Sequence, residues 1–383
     1  MTQPNPASPA PPAPASPGRL DPLSRRRLLA GALASAAIAA CGAEKRETAP
    51  PSPTSSQPAE PASGAAPTPP APTPVPVSPL SGQVVPDPAL LRRRIVAVKI
   101  DNAPPARPQF GLGFADLVYE QLAEGGLTRF LALFLQNEPD RVGPVRSARL
   151  TDIYLAQEWD FLLAYAGAGR TTSQLLADAV VPLFKAPELG ERLEGTPYFR
   201  DPNRIVPHNL FVRVAGVREA AAKDANLAKE VEIHPFPFAE APAEAGPLRA
   251  VSLPYTGAAA AVTWHYDTDA NVWRRIMGGQ NHVDALDKQQ IQADNVLLQY
   301  ANIFTTRNAE PDSAGNPVLD TVLRGENRLR LFHSGQVFEG TWVKEHDRAK
   351  TEYRLADGSP LPFRPGRVWI HILPTDFNAT WSA

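Results

Sequence analysis

A single cysteine, Cys41, occurs in 383 residues. If that residue is spent on attachment, the rest of the chain has no thiol. A disulfide framework, a cysteine-ligated zinc, an iron–sulfur cluster and a cysteine nucleophile are then all excluded. A bilayer-spanning apolar run, which takes ~20 residues, is also missing. So is an excess of charge of one sign: 38 Lys and Arg face 40 Asp and Glu, for a net charge of -2. A protein that grips polyanions by bulk charge is basic, so no nucleic-acid partner is expected. The Gly-x-Ser-x-Gly elbow, the His-Glu-x-x-His helix and the Walker loop are absent, which sets aside serine hydrolases, zincins and phosphate-loop NTPases.

The N-terminus carries an address. A basic cluster, "SRRR" (Ser24 to Arg27), precedes an apolar run of about a dozen residues, "LLAGALASAAIAA", and then Cys41 and Gly42. "IAAC" (Ile38 to Cys41) resembles the lipobox of bacterial lipoproteins, and "SRRRLL" also resembles a twin-arginine export signal. Residues 1–41 are therefore expected to be a lipoprotein signal peptide, with lipidated Cys41 holding the chain to the outside of the bacterial cell membrane. The chain has 43 prolines, crowded toward its start, and residues 42–90 are too rich in Pro, Ala, Ser and Thr to assemble a core. A disordered tether is expected there, reaching on the order of 140 Å at ~3.1 Å per residue.

Two folded regions are expected, at 91–233 and 248–383, separated by the linker-like "HPFPFAEAPAEAGP" (His234 to Pro247). The first alternates strand and helix. "RRRIVAVKIDN", "TRFLALFLQ" and "FLLAYAG" read as strands, and "FADLVYEQLAEGG", "ARLTDIYLAQEWD" and "SQLLADAV" as helices. The second is a series of short β runs with Asp-Gly and Ser-Gly turns. The class is α+β: a mixed α/β sheet domain followed by a mostly β domain.

The stretch "VKIDNAPPARPQFGLGFADLVYEQLAEGGLTRFLALFLQNEPDRVGPVRSAR" resembles the YerB-like bacterial lipoproteins, a domain-of-unknown-function family. The likeness continues through "VPHNL", "VWRRIMGGQNHVD", "ADNVLLQY", "GTWVKE" and "DGSPLPFRPGRVWIHILP". It implies an N-terminal mixed α and β domain, a C-terminal β-rich domain and a lipoprotein setting, and brings no established reaction. A departure falls at "RGENRLRLF", where Gly325, Glu326 and Asn327 replace a small Gly-rich turn.

Polar residues of the first region gather at its strand ends. Asp101 and Asn102 close the first strand, Glu120 and Glu124 lie one turn apart on the expected helix, and Arg129 opens the next strand. Arg146 and Arg149 follow the Gly-Pro turn of "VGPVRSAR", and "PHN" supplies His208 and Asn209. Ligand crevices in open α/β sheets lie outside strand ends, and arginine captures carboxylate or phosphate bidentately. Arg129, Arg146, Arg149, Asn102 and Asn209 are accordingly candidate ligand contacts. Glu124, Asp101, Glu120 and His208 are the candidates for catalysis, a carboxylate pair being the usual acid and base on a glycan. Equally, the same acids and arginines could be a buried salt-bridge network with no chemistry.

In the second region His282 and Asp284 share a face if "NHVD" is a strand, half of a metal site whose other ligands are not evident, so no metal and no cofactor are expected. Trp264, Trp273, Trp342 and Trp369 read as core before they read as a glycan platform. The leading expectation is a binding or scaffolding protein of the cell envelope, with an anion-recognising crevice and a cell-wall ligand or envelope protein as partner. A peptidoglycan-directed hydrolase or transferase and a protein–protein adaptor working through edge strands are the alternatives.

Overall fold

The computed structural model describes residues 75–383, apart from 180, 241–243, 258, 308 and 313–314. Cys41, the signal segment and residues 42–74 of the expected tether lie outside the described residues.

In chain order the main elements are β1 (Val96–Asp101), β2 (Leu117–Leu122), β3 (Thr128–Phe134), α1 (Leu150–Trp159), β4 (Leu162–Tyr165), α2 (Arg170–Asp178), β5 (Leu183–Lys185), β6 (Tyr198–Arg200), β7 (Leu210–Val212) and α3 (Val214–Ala221). Then come β8 (Ala250–Leu253), β9 (Val262–Asp267), β10 (Val272–Met277), β11 (Gln280–Asn281), β12 (Gln292–Ala293), β13 (Asn295–Thr305) and β14 (Leu319–Val322). The last are β15 (Gly325–His333), β16 (Gln336–Lys344), β17 (Glu352–Leu355), β18 (Val368–Pro374) and β19 (Thr380–Ser382). The class is α+β, with helices confined to the first half and strands filling the second.

The two expected regions share one sheet. Its order is β17-β16-β15-β13-β18-β2-β3-β1-β4-β5, with β14 attached to β13. The join is a parallel ladder between β18 and β2, running from Val368 opposite Leu117 to Ile372 opposite Gln121. A second sheet, β11-β10-β9-β8-β19 with β12 on β10, covers one face. The segment that reads as a linker is packed as well: Phe236 is buried among Trp159, Phe238, Tyr353 and Phe363. Likewise the fold begins inside the Pro-rich stretch, since Ser78, Leu80, Ser81 and Val85 are buried and Ser81 O accepts from Gly366 N.

The expected helix at "FADLVYEQLAEGG" is a strand. Leu117 to Gln121 are all buried, because β2 lies inside the sheet between β18 and β3 with layers on both faces. Glu and Gln read as helix formers, but sheet position overrides intrinsic propensity. At the departure from the family's turn, Gly325 takes φ 98° and opens β15 directly.

The strand period of two sorts β1 to β3 onto two faces. Val96, Val98, Ile100, Val118, Phe130 and Ala132 pack toward the second sheet, in one core with Val251, Trp264 and Trp273. Ala97, Tyr119, Leu131 and Leu133 pack toward α1, in another core with Leu155 and Trp159. By this alternation Lys99, Asp101, Gln121 and Arg129 belong to the α1 face, and Glu120 to the face of the second sheet. No helix among the described residues is long and apolar enough to cross a membrane.

Candidate functional site

The face toward the second sheet carries a closed polar ring. Arg275 donates two hydrogen bonds to the carboxylate of Glu120 (2.8 and 2.9 Å) and one to His282 Nδ1 (2.5 Å). His282 Nε2 lies 2.7 Å from Gln109 Oε1, Gln109 Nε2 donates to Asn102 Oδ1, and Asn102 Nδ2 donates to Thr128 Oγ1 (2.6 Å). Thr128 returns to Glu120 Oε1 at 2.9 Å. The donor order assigns the proton of His282 to Nε2. Burial and the neighbouring Arg275 push that imidazole well below its ordinary range, so it is neutral. Glu120 also accepts from Trp369 Nε1 at 3.1 Å. Burial favours its protonated form, but Arg275, His371, Thr128 and their hydrogen bonds bring it below the usual carboxylate range.

Every member of this ring is buried. It ties residues 102–128 to 275–282 and leaves no room for a ligand to reach Glu120, which removes Glu120 from the catalytic candidates and Asn102 from the ligand contacts. His282 and Asp284 make no metal site. His282 is spent in the ring, and Asp284 caps backbone, accepting from Gly111 N (3.0 Å), Gly113 N (2.7 Å) and Leu286 N (2.8 Å). Among the described residues no group of three His, Cys, Asp or Glu could hold a metal ion. The four tryptophans are core, each at 2% exposure or less.

The α1 face is built differently. Gly143 makes the turn of "VGPVRSAR" possible: a Cβ there would lie 2.8 Å from Val145 N and 2.9 Å from Leu210 O. The strap that follows is pinned on both sides. Val145 N donates to Leu210 O, Arg146 N to Lys99 O, and Ala166 N to Arg146 O. These bonds hold Arg146 beside the end of β1, where its Nε lies 3.0 Å from Asp101 Oδ2 without hydrogen-bond geometry. His208 Nδ1 reaches the same oxygen at 2.7 Å.

Arg149 is clamped to Glu124, with Nε at 2.6 Å and Nη2 at 2.5 Å from Oε2. Behind it Lys99, buried in β1, donates to Asp152 Oδ1 at 2.8 Å, and Gln121 and Arg149 N complete the donors to that carboxylate. Burial lowers Lys99 to about 8 against the pull of Asp152. Arg129 is the exception. Its one side-chain hydrogen bond among the described residues goes to the carbonyl of Ser147 at 3.0 Å, and it has no ion pair there. Burial first, then Arg149 and Arg146 nearby, lower it to about 10. The cluster sets four cations, Lys99, Arg129, Arg146 and Arg149, against three carboxylates, Asp101, Glu124 and Asp152.

Of the sequence candidates, Asp101, Glu124, Arg129, Arg146, Arg149 and His208 therefore come together. Asn209 stands one step back, its Oδ1 accepting from Arg200 Nη1 at 3.0 Å. Glu120 and Glu124 are not one helical turn apart, since Glu120 is in β2 and Glu124 begins the 3-10 turn Glu124–Gly126. Sequence reasoning missed Lys99, Asp152, Arg200 and Arg275. Lys99 was signalled: a cation in the middle of "IVAVKID", a strand apolar on both faces, requires a buried partner.

A family model described as the N-terminal domain of a protein of unknown function, DUF3048, matches residues 80–228, and its C-terminal counterpart matches 251–370. The chain belongs to this family of YerB-like proteins. A curated relative, "Putative lipoprotein YerB" of Bacillus subtilis (strain 168), is 30% identical over 300 residues, covering 78% of this chain and 86% of the relative. The crystal structure of YerB protein from Bacillus subtilis matches with a TM-score of 0.69 at 29% identity, covering 80% of this chain and 99% of that one.

Proposed function

We propose that the chain is a lipid-anchored protein of the bacterial cell envelope that binds an anionic group, phosphate or carboxylate, at the end of β1. Arg129 carries this reading: a cation lowered by burial and by two neighbouring arginines, against a smaller opposing pull from Asp101 and Glu124, with no ion pair among the described residues, on a framework that fixes Arg146 and Arg149 beside it. An arriving anion relieves the repulsion among the three guanidinium groups, and each could offer charge-assisted hydrogen bonds. The relative's description as a lipoprotein and the lipobox-like "IAAC" support lipidation at Cys41 and placement on the outer side of the cell membrane. The anion would then belong to a cell-wall ligand or an envelope protein.

Calorimetric titration of the full chain with inorganic phosphate and with acetate tests the reading. Binding that weakens about ten-fold in Arg129→Gln, a loss of ~1.4 kcal/mol, and that falls with added salt, is the expected result. Phosphate and acetate affinities that Arg129→Gln and Arg146→Gln both leave unchanged would remove the anion site.

A hydrolytic reading rests on the Asp101–His208 contact at 2.7 Å, an arrangement that orients an imidazole for proton transfer. Mass spectrometry of peptidoglycan incubated with the full chain, beside Asp101→Asn and Glu124→Gln, decides it. New fragments that vanish in Asp101→Asn would make the protein an enzyme on that polymer.

A further inference from the structure

Beside the Asp101–His208–Arg146 cluster opens a cleft of about 150 Å³, with Arg146 and Arg200 among its lining residues. Arg200 donates to Asn209 and has no ion pair with a described residue. The acid on the rim, Glu188, is engaged by Lys185 at 2.6 Å. The rest of the lining is largely apolar, including Pro187, Leu189 and Val206.

The apolar side is unusually exposed. Ile205 (68%) and Leu189 (65%) are the two most exposed large apolar side chains among the described residues, and Val206 is at 52%. Leu189 and Val206 line the cleft, and Ile205 adjoins it in the chain. Scattered exposed apolar residues need no explanation, whereas a cluster at the mouth of a charged cleft marks a surface that something covers.

From this pairing we infer that the cleft takes an amphiphilic phosphate, the headgroup of a phosphorylated lipid, with the phosphate on Arg146 and Arg200 and the start of the apolar chain on Leu189 and Val206. The proposal rests on the anion reading above through Arg146, which the two share, and adds Arg200 and the nature of what is attached to the anion. The cleft, about 150 Å³, takes the phosphate-sized group, and the apolar chain leaves along the exposed lip formed by Leu189 and Val206. Arg200, without an ion pair among the described residues, and Arg146, whose partner Asp101 is shared with His208, select the phosphate over a zwitterionic headgroup, whose own cation would meet them.

Calorimetric titration of the full chain with dihexanoyl phosphatidic acid below its micelle concentration, with glycerol 3-phosphate and with dihexanoyl phosphatidylcholine tests it. Phosphatidic acid is expected to bind about ten-fold tighter than glycerol 3-phosphate, equivalent to ~1.4 kcal/mol or roughly two buried methylenes. Leu189→Ser combined with Val206→Thr, both at surface positions, should abolish that gap while glycerol 3-phosphate binds as before. Arg200→Gln should weaken both phosphates alike. Equal affinities for the two phosphates, a gap that survives the lip variant, or phosphatidylcholine binding as tightly as phosphatidic acid would each overturn the lipid proposal. If neither phosphate binds, the anion reading falls with it.

Discussion

The two faces of strands β1 to β3 carry similar charges to opposite ends. Toward the second sheet, Glu120, Arg275 and His282 are sealed in a ring in which each is hydrogen-bonded to the next, Arg275 Nε alone being left without a partner. Toward α1, Arg149 is clamped to Glu124 but Asp101 and Arg146 are only partly matched, and among the described residues Arg129 has a single carbonyl to bond. A charged residue near a strand end is thus no guide to function by itself. A cation without a carboxylate partner among the described residues, together with access, separates the face that could bind from the face that holds the halves together.

The sharpest way to break this comparison is to attack the sealed face. Glu120→Ala leaves Arg275 buried without its carboxylate, and a loss of about 3–5 kcal/mol should appear as an early urea midpoint. A smaller effect comes from acid. His371, held by Trp264 Nε1 and Tyr255, is lowered to about 4 by burial, with Arg275 adding to the shift and Glu120 opposing it. Because the unfolded imidazole titrates near ~6.5, the unfolded state binds the proton first. Stability is intact above about 6.5, declines as pH falls from there toward 4, by up to ~3 kcal/mol, and levels off below it. A pH series of urea midpoints for wild type and His371→Gln checks this, the variant having the shallower slope.

The open face should answer more weakly. Arg149→Gln strands Glu124, whose side chain is 2% exposed, and a loss of about 2 kcal/mol is expected in the same assay. Arg129→Gln, which removes a cation from a cluster of cations, should change stability by less than about 1 kcal/mol while it weakens anion binding. If Arg129→Gln proved as destabilising as Glu120→Ala, the two faces would not differ in kind, and the cluster would be a second structural network.

Much of this was legible beforehand. The apolar runs at "IVAVKID", "FLALF", "FLLAY" and "VWIHILP" are strands because continuous apolar character is what a doubly covered sheet needs. The convergence of Asp101, Arg129, Arg146, Arg149 and His208 was also readable, since all flank strand ends or tight turns. What could not be read was the side on which each residue points. Glu120 and Asn102 belong to the sealed face because a strand alternates, whereas the residues of β2 read with a helical period. Nor does local pattern indicate that β18 lies beside β2: the two pair across some 250 residues of sequence, as between Trp369 and Val118.

That ladder has a consequence for how the molecule comes into being. A chain made from its N-terminus presents β2 long before β18 exists, so the middle of the largest sheet is the last part to close. Until Val368–Pro374 arrives, the edge of β2 that it covers and the matching edge of β13 stand open to other strands. Such long-range pairing is slow to form and exposed to aggregation while it waits. A protein arranged this way depends on Val368–Pro374 to shut its own centre, and any loss of those residues would open the sheet in the middle rather than fray it at an edge.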